Sequence, residues 1–293
     1  MLTAPSSAVS PGSFGRTVTS AEFKLFQELI HREAGIYLSE AKKALLVGRL
    51  SGRLRELRLG SFGEYHRYLT DVDQGERVRM LDCITTNETR FFREPQQFEF
   101  LEQRLIPQLK ADAAAGRRPR RLRVWSAASS TGEEAYSLAM TLLSHFPPES
   151  PWTIEIFGSD LSTRVLDRAR AAVWFIERTR EIPERYLKRY MLKGTGSQEG
   201  TMKAGPEIRS LVRFERINLM ADSYPVTGKF DLVFCRNVLI YFDAPTKERV
   251  VNNLLKHLEP NGRLFLGHAE SMLGMGHRLR RVGPTVYDQI GVA

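Results

Sequence analysis

Three runs of residues carry groups that could hold a small polar ligand. In Val124-Trp125-Ser126-Ala127-Ala128-Ser129-Ser130-Thr131-Gly132-Glu133-Glu134, an apolar run passes into small side chains and then into a helical pattern with Tyr136, Leu138 and Met140. Small residues let a ligand approach the backbone closely. The G-x-G-x-x-G spacing of dinucleotide folds is absent, and the helix opens with paired glutamates where a pyrophosphate needs exposed amides and no competing anion. A cationic ligand without phosphate suits such a loop, and S-adenosylmethionine, a sulfonium that also carries an ammonium, is one. A plain strand-to-helix turn is the alternative. The second run, Gly158-Ser159-Asp160, ends a strand with a carboxylate about where the second strand of a doubly wound sheet sets an acid on ribose hydroxyls. Asp160 or Ser162 acting as the N-cap of the next helix accounts for it equally well. The third run, Phe230-Asp231-Leu232-Val233-Phe234-Cys235-Arg236-Asn237-Val238, places polar groups at the carboxyl end of another strand, the edge where open sheets bind ligands.

The elements that must position these groups follow from periodicity. Leu122–Trp125, Thr153–Phe157, Phe230–Phe234 and Gly262–Leu266 are short strand-like runs with helical stretches between them, including one over 245–258. That alternation predicts a parallel sheet with crossover helices, an α/β doubly wound fold. A final strand pair turns around Gly283-Pro284. Between Trp174 and Ile217 the alternation breaks for about forty residues. That segment, with Gly194-Thr195-Gly196-Ser197-Gln198-Glu199-Gly200, is expected to be a small inserted β element.

Residues 18–88 read as all-helical. Thr19-Ser20-Ala21-Glu22 and Ser61-Phe62-Gly63-Glu64 are capping boxes. Leu46, Leu50, Leu54 and Leu57 form one stripe of a helix between Ser39 and Gly60, whose other faces carry Lys42, Lys43, Arg49, Arg53, Arg55 and Arg58. The opening residues, 1–17, are rich in Ser, Pro and Gly and are expected to be a mobile tail.

With 293 residues, 42% hydrophobic and 26% charged, the chain has ordinary globular composition. Cys83 and Cys235 lack any C-x-x-C or histidine partner pattern, so neither a disulfide framework nor a metal site is expected. The apolar runs fall well short of a membrane span, and the N-terminus lacks the signature of a signal peptide, so a cytoplasmic location is expected. A net charge of +9 suits a nucleic-acid binder or an enzyme that approaches an acidic protein surface. Against nucleic acid as substrate, the Asn/Asp-Pro-Pro-aromatic motif of amino-group methyltransferases is replaced by Arg236-Asn237-Val238-Leu239. The run Arg117-Arg118-Pro119-Arg120-Arg121 reads as a solvated loop.

Four segments in this order, Thr86-Asn87-Glu88-Thr89-Arg90-Phe91-Phe92-Arg93-Glu94, Ser126–Glu134, Phe234–Phe242 and Gly267-His268-Ala269-Glu270, resemble the CheR-type chemotaxis receptor methyltransferases. The resemblance covers nearly everything after residue 18. It implies a helical domain over 18–88 and a class I methyltransferase domain over 89–293, interrupted by a β-subdomain at about 176–214. It implies methyl transfer from S-adenosylmethionine to glutamate side chains on the cytoplasmic helices of chemoreceptors, leaving S-adenosylhomocysteine. Matching motif positions set Asn87, Thr89, Arg93, Glu133, Asp160, Asn218, Leu219, Asn237 and Val238 around the cofactor. Asp160 would hold the ribose hydroxyls and Glu133 cationic or polar groups. Part of the family also binds the receptor's C-terminal peptide through the β-subdomain. A monomer, with no nucleic-acid partner and no membrane insertion, is expected.

Such chemistry needs little acid–base help, because a glutamate with a pKa of about 4.3 is already ionised at neutral pH. The enzyme has to orient and desolvate it. Arg93, by bidentate contact, is the candidate to align the carboxylate, with a structural ion pair to Glu94 or another acid as the alternative. Tyr241 is a candidate hydrogen-bond donor at the same edge, with a core tyrosine as the alternative.

Overall fold

The computed structural model describes residues 17–73, 75–270 and 278–290; the expected mobile tail lies, but for Thr17, outside them. These residues divide into two compact units, one of residues up to Glu33 with Tyr37–Ile84, the other of Ala34–Ile36 with Thr85 onward.

The first unit is helical: α1 (Ser20–Ala34), α2 (Lys43–Glu56), α3 (Phe62–Arg67) and α4 (Glu76–Ile84). The first capping box forms in both directions and the second in one, the Glu64 carboxylate taking the Gly60 amide instead of that of Ser61. The Thr19 amide donates to Glu22 Oε2 at 2.8 Å while the Glu22 amide donates to Thr19 Oγ1, and the Glu64 amide donates to Ser61 Oγ. Leu46, Leu50 and Leu54 are buried with Phe23, Phe26, Phe62 and Tyr65. The cations of α2 are less free than their sequence suggests. Arg53 is bidentate to the buried Glu76, at 2.8 and 2.7 Å, and Tyr65 donates to the same carboxylate. Arg49 donates to the Cys83 and Ile84 carbonyls.

The second unit begins with the helical stretch α5 (Pro95–Phe100) to α6 (Ile106–Ala114). Its strands are β1 (Arg121–Ala127), β2 (Thr153–Asp160), β6 (Val212–Arg216), β7 (Phe230–Cys235), β8 (Leu258–Leu266), β9 (Leu279–Gly283) and β10 (Val286–Gln289). They form a seven-stranded sheet in the order β6-β2-β1-β7-β8-β10-β9. Neighbours pair in parallel as far as β8, and only β10 runs against its neighbours. The sheet is mostly parallel, as the resemblance implies. Helices α7 (Glu133–His145), α8 (Thr163–Ala171) and α11 (Ala244–Lys256) cross over between its strands. The inner strands are almost wholly buried, as sheets covered on both faces require.

A separate antiparallel sheet, β3-β5-β4, is built from β3 (Val173–Phe175), β4 (Met191–Lys193) and β5 (Thr201–Ala204), with α9 (Glu184–Tyr190) between β3 and β4 and α10 (Pro206–Arg209) after β5. Two boundaries differ from the sequence reading of an insertion at about 176–214. The small sheet starts at Val173, and Val212–Arg216 is the parallel edge strand of the main sheet, registered Ile156 to Val212 through Asp160 to Arg216. Charged residues alternate along that strand because an edge strand buries only one face, which disguised it as a hairpin strand. No described helix is long and apolar enough to cross a membrane.

Candidate active site

Parallel strands put their carboxyl ends on one side, and β1, β2, β6 and β7 there deliver the residues singled out above. After β1 the chain turns through left-handed Ala128 (φ 63°), Ser130 (φ 49°) and Gly132 (φ 95°). A Cβ on Gly132 would stand 3.1 Å from that of Ala169, so the loop hugs α8 there. Turned amides of this kind ordinarily cradle an anion, and here the anion belongs to the protein. Asp160, at the end of β2, accepts the Ser130 amide at 2.9 Å and the Ser162 amide at 3.0 Å. Ser162, not Asp160, caps α8.

Glu133, the first residue of α7, is 1% exposed and accepts from Thr131 Oγ1 at 2.6 Å. Burial pushes its carboxyl above the ordinary range, against the pull of Thr131 and of Arg178, 3.5 Å away. Its neighbour Glu134 accepts from Ser126 Oγ at 2.7 Å. With acids at the helix start and Asp160 on the loop amides, a phosphate has no place here, whereas an ammonium, a sulfonium and ribose hydroxyls find acceptors. The donor set therefore fits S-adenosylmethionine.

The segment carrying Asn87, Thr89 and Arg93 is sewn to this loop. Ser130 Oγ donates to the Asn87 carbonyl at 3.0 Å, and the Phe92 amide donates to Ser137 Oγ. Phe91 packs edge-on against Trp174 and Phe92 stacks on Tyr186. On the β6 side, the Ile217 amide donates to the Asp160 carbonyl at 3.0 Å. That brings in Asn218, whose Oδ1 accepts the Met220 amide, and Leu219, whose carbonyl accepts from the buried Tyr224.

After β7, Asn237 adopts φ 58°. It is held by Glu270, which takes the amides of Asn237 and Gly267 on one oxygen and that of Leu239 on the other. Val238 is half-buried, and Tyr241 ends the 3-10 turn Leu239–Tyr241, also half-buried. The ion pair offered as an alternative for Arg93 does not form. Glu94 pairs instead with Arg236, at 3.2 Å, and Arg93 Nη1 donates to the Glu88 carbonyl. Among the described residues Arg93 makes no ion pair.

Sequence reasoning missed Arg236. Its side chain is 2% exposed, and its guanidinium meets Glu94, Glu134 at 3.1 Å and the Arg93 carbonyl. Burial alone would raise Glu94, but the Arg236 charge, the His268 amide and the Asn237 carboxamide bring it below the usual range. Burial outweighs Arg236 at Glu134 and pushes that carboxyl up. The available signal was one arginine beside Asn237 and two acids, Glu94 and Glu134, each next to a residue already singled out. Expected as a solvated loop, Arg117–Arg121 is partly engaged: Arg117 pairs with Asp112 and Arg118 with Asp231.

Topology and donor set together define an S-adenosylmethionine-dependent methyltransferase. Residues 21–85 match the family described as CheR methyltransferase, all-alpha domain, and residues 87–287 match CheR methyltransferase, SAM binding domain. The chain belongs to the CheR methyltransferase family. It is 42% identical over 286 residues to chemotaxis protein methyltransferase 2 of Pseudomonas aeruginosa, covering 97% of this chain and 99% of that one. It is 39% identical to the chemotaxis protein methyltransferase of Escherichia coli, over 92% and 91% of the two chains, and 37% identical to that of Salmonella typhimurium, over 92% and 90%. Its activity is thus S-adenosylmethionine-dependent methylation in chemotaxis.

Proposed function

We propose that the protein esterifies glutamate side chains on the cytoplasmic helices of chemoreceptors, converting S-adenosylmethionine to S-adenosylhomocysteine. What supports this reading is Arg93, a half-buried residue whose guanidinium makes no ion pair among the described residues and whose carbonyl is held by Arg236 beside the acids Glu94 and Glu134. A carboxylate is the acceptor such a group selects by bidentate contact. When bound, the cofactor supplies an electrophilic methyl. The chain's residues do the rest. Arg93 aligns the incoming carboxylate, with Tyr241 as a donor at the same edge. Glu133 receives cationic or polar cofactor groups, and Asp160 the ribose hydroxyls. Asn87, Thr89, Asn218, Leu219, Asn237 and Val238 shape the walls of the cofactor site. No general base is needed, because the acceptor arrives ionised.

Two further surfaces suit a receptor partner. Arg55 and Arg58 on and after α2 are exposed, and would steer an acidic methylation region. In the small sheet, the outer strands β3 and β4 expose Phe175 (75%) and Leu192 (54%), giving edges on which a receptor C-terminal peptide could add as a strand. Gly194–Gly200 links β4 to β5, and a Cβ on Gly194 would stand 2.0 Å from the Gln198 carbonyl, which keeps that hairpin tight. Mass spectrometry of a receptor cytoplasmic fragment after incubation with enzyme and cofactor tests the substrate. Added methyl groups are expected on glutamates alone, and methylation of lysine, arginine or nucleic acid instead would refute it.

A further inference from the structure

The inserted segment reaches the cofactor loops through one short strut. After β3 the chain forms the 3-10 turn Ile176–Glu181, and the charged residues Arg178 and Glu181 of that turn point back to the main domain. Arg178 Nη1 donates to the Thr89 carbonyl at 2.8 Å and lies 3.5 Å from Glu133 Oε1 and 3.3 Å from Glu181 Oε2. Glu181 Oε2 in turn accepts the Phe91 amide at 3.0 Å. The base of the strut is anchored in the core, since Trp174 of β3 lies edge-on to Phe91 and Tyr136, at 5.0 and 5.3 Å between ring centres.

This geometry has a consequence for binding. Residues 89 and 91 belong to a loop that no helix or strand of the main domain contains, so its backbone position depends on the groups that bond it. Arg178 and Glu181 bond it at alternate residues, through one carbonyl and one amide. The same guanidinium lies within ion-pair distance of the buried Glu133, so one side chain braces both the loop and that carboxylate. Both halves of the strut come from the insertion: Arg178 touches Thr89 and Glu133, which are read as cofactor contacts, and Glu181 holds Phe91 two residues beyond Thr89.

We propose that Arg178, braced by Glu181, is a positioning residue for the cofactor, setting Thr89 against Glu133, so that the inserted segment takes part in S-adenosylmethionine binding. The inference rests on the reading of Thr89 and Glu133 as cofactor groups. Calorimetric titration of the full chain with S-adenosylhomocysteine tests it, alongside single-turnover rates at saturating cofactor. Arg178→Met and Glu181→Gln should each weaken binding by about tenfold or more, while Arg178→Lys, which keeps the charge and a donor, should stay within about threefold of the parent. The rate at saturating cofactor should fall much less than the affinity, because the loss is in positioning the cofactor rather than the acceptor. Affinity within about twofold of the parent in both Arg178→Met and Glu181→Gln overturns the proposal, as does a saturated rate that falls in step with affinity. Glu133→Gln separates the two levels. If it leaves affinity unchanged, the reading of the cofactor groups fails; if it weakens binding while the strut variants do not, only the strut is wrong.

Discussion

In the proposed site Asp160 would have two tasks on one carboxylate, since its oxygens already hold the amides of Ser130 and Ser162. Removing it entirely would strand those amides and loosen the loop after β1. Asp160→Asn is therefore the cleaner variant, keeping an acceptor while discarding the charge. Its affinity for S-adenosylhomocysteine should fall by about 1–3 kcal/mol, the worth of charge-assisted hydrogen bonds, as titration calorimetry would measure. Unchanged affinity in a folded variant would take Asp160 out of the site. The Arg93 side chain has fewer structural ties, a single contact among the described residues, to the Glu88 carbonyl. Arg93→Ala should cut the methyl-transfer rate about tenfold or more at saturating cofactor, because the acceptor would no longer be aligned. A rate within about twofold of the parent in single-turnover experiments would make its role structural.

Among the elements, the buried Arg236 joins the segment before α5, the start of α7 and the end of β7, through Glu94, Glu134 and the Arg93 carbonyl. Its pairing should show in the pH dependence of stability. Glu94 is held below its usual value, so its contribution is complete above the ordinary carboxyl pKa and is lost as pH falls through the lower folded value. Glu134 has the opposite sign. Raised by burial, it favours the folded state below the ordinary value, and that advantage is lost as pH rises through its folded value. In thermal melts, the stability gap between the parent and Glu94→Gln should therefore narrow from about pH 6 to about pH 3. A gap independent of pH would mean that the fold leaves the Glu94 carboxyl at its ordinary pKa. This element-level wiring was the least legible part of the sequence. Strands that are apolar at nearly every position, such as Phe230–Cys235, and helices with reciprocal caps, such as α1 at Thr19 and Glu22, announce themselves locally. Val212–Arg216 does not, because an edge strand with one buried face reads like any hairpin strand. Nor does Arg236, whose partners lie 142 and 102 residues away in sequence, so that only the folded sheet edge reveals them. Candidate residues on the strand-end loops were legible because small residues and acids directly after an apolar run mark the place where a buried strand opens toward a ligand or a helix cap. The braces behind them were not, since a surface ion pair and a buried one look alike in sequence.

For the whole molecule, the excess of positive charge matters through where it is free to act. Arg53, although on the basic helix, is committed to the buried Glu76, and reversing it would damage the first unit rather than test docking. Arg55 and Arg58 are the better probes, being exposed. Arg55→Glu with Arg58→Glu should slow receptor methylation several-fold at low ionic strength and leave S-adenosylhomocysteine affinity unaltered. Added salt should shrink the difference, since screening removes the steering being compared. Equal rates at low salt would assign those arginines to solvation alone. The central claim is that the acceptor is a carboxylate of a chemoreceptor, and the chemistry of the product decides it. The enzyme would be incubated with chemoreceptor-bearing membranes and S-adenosylmethionine tritiated in its methyl group, and the washed membranes then treated with mild base. A methyl ester is the expected product, and it would release volatile tritiated methanol. Label that stays on the receptor through base treatment, or no transfer to receptor at all, would contradict it.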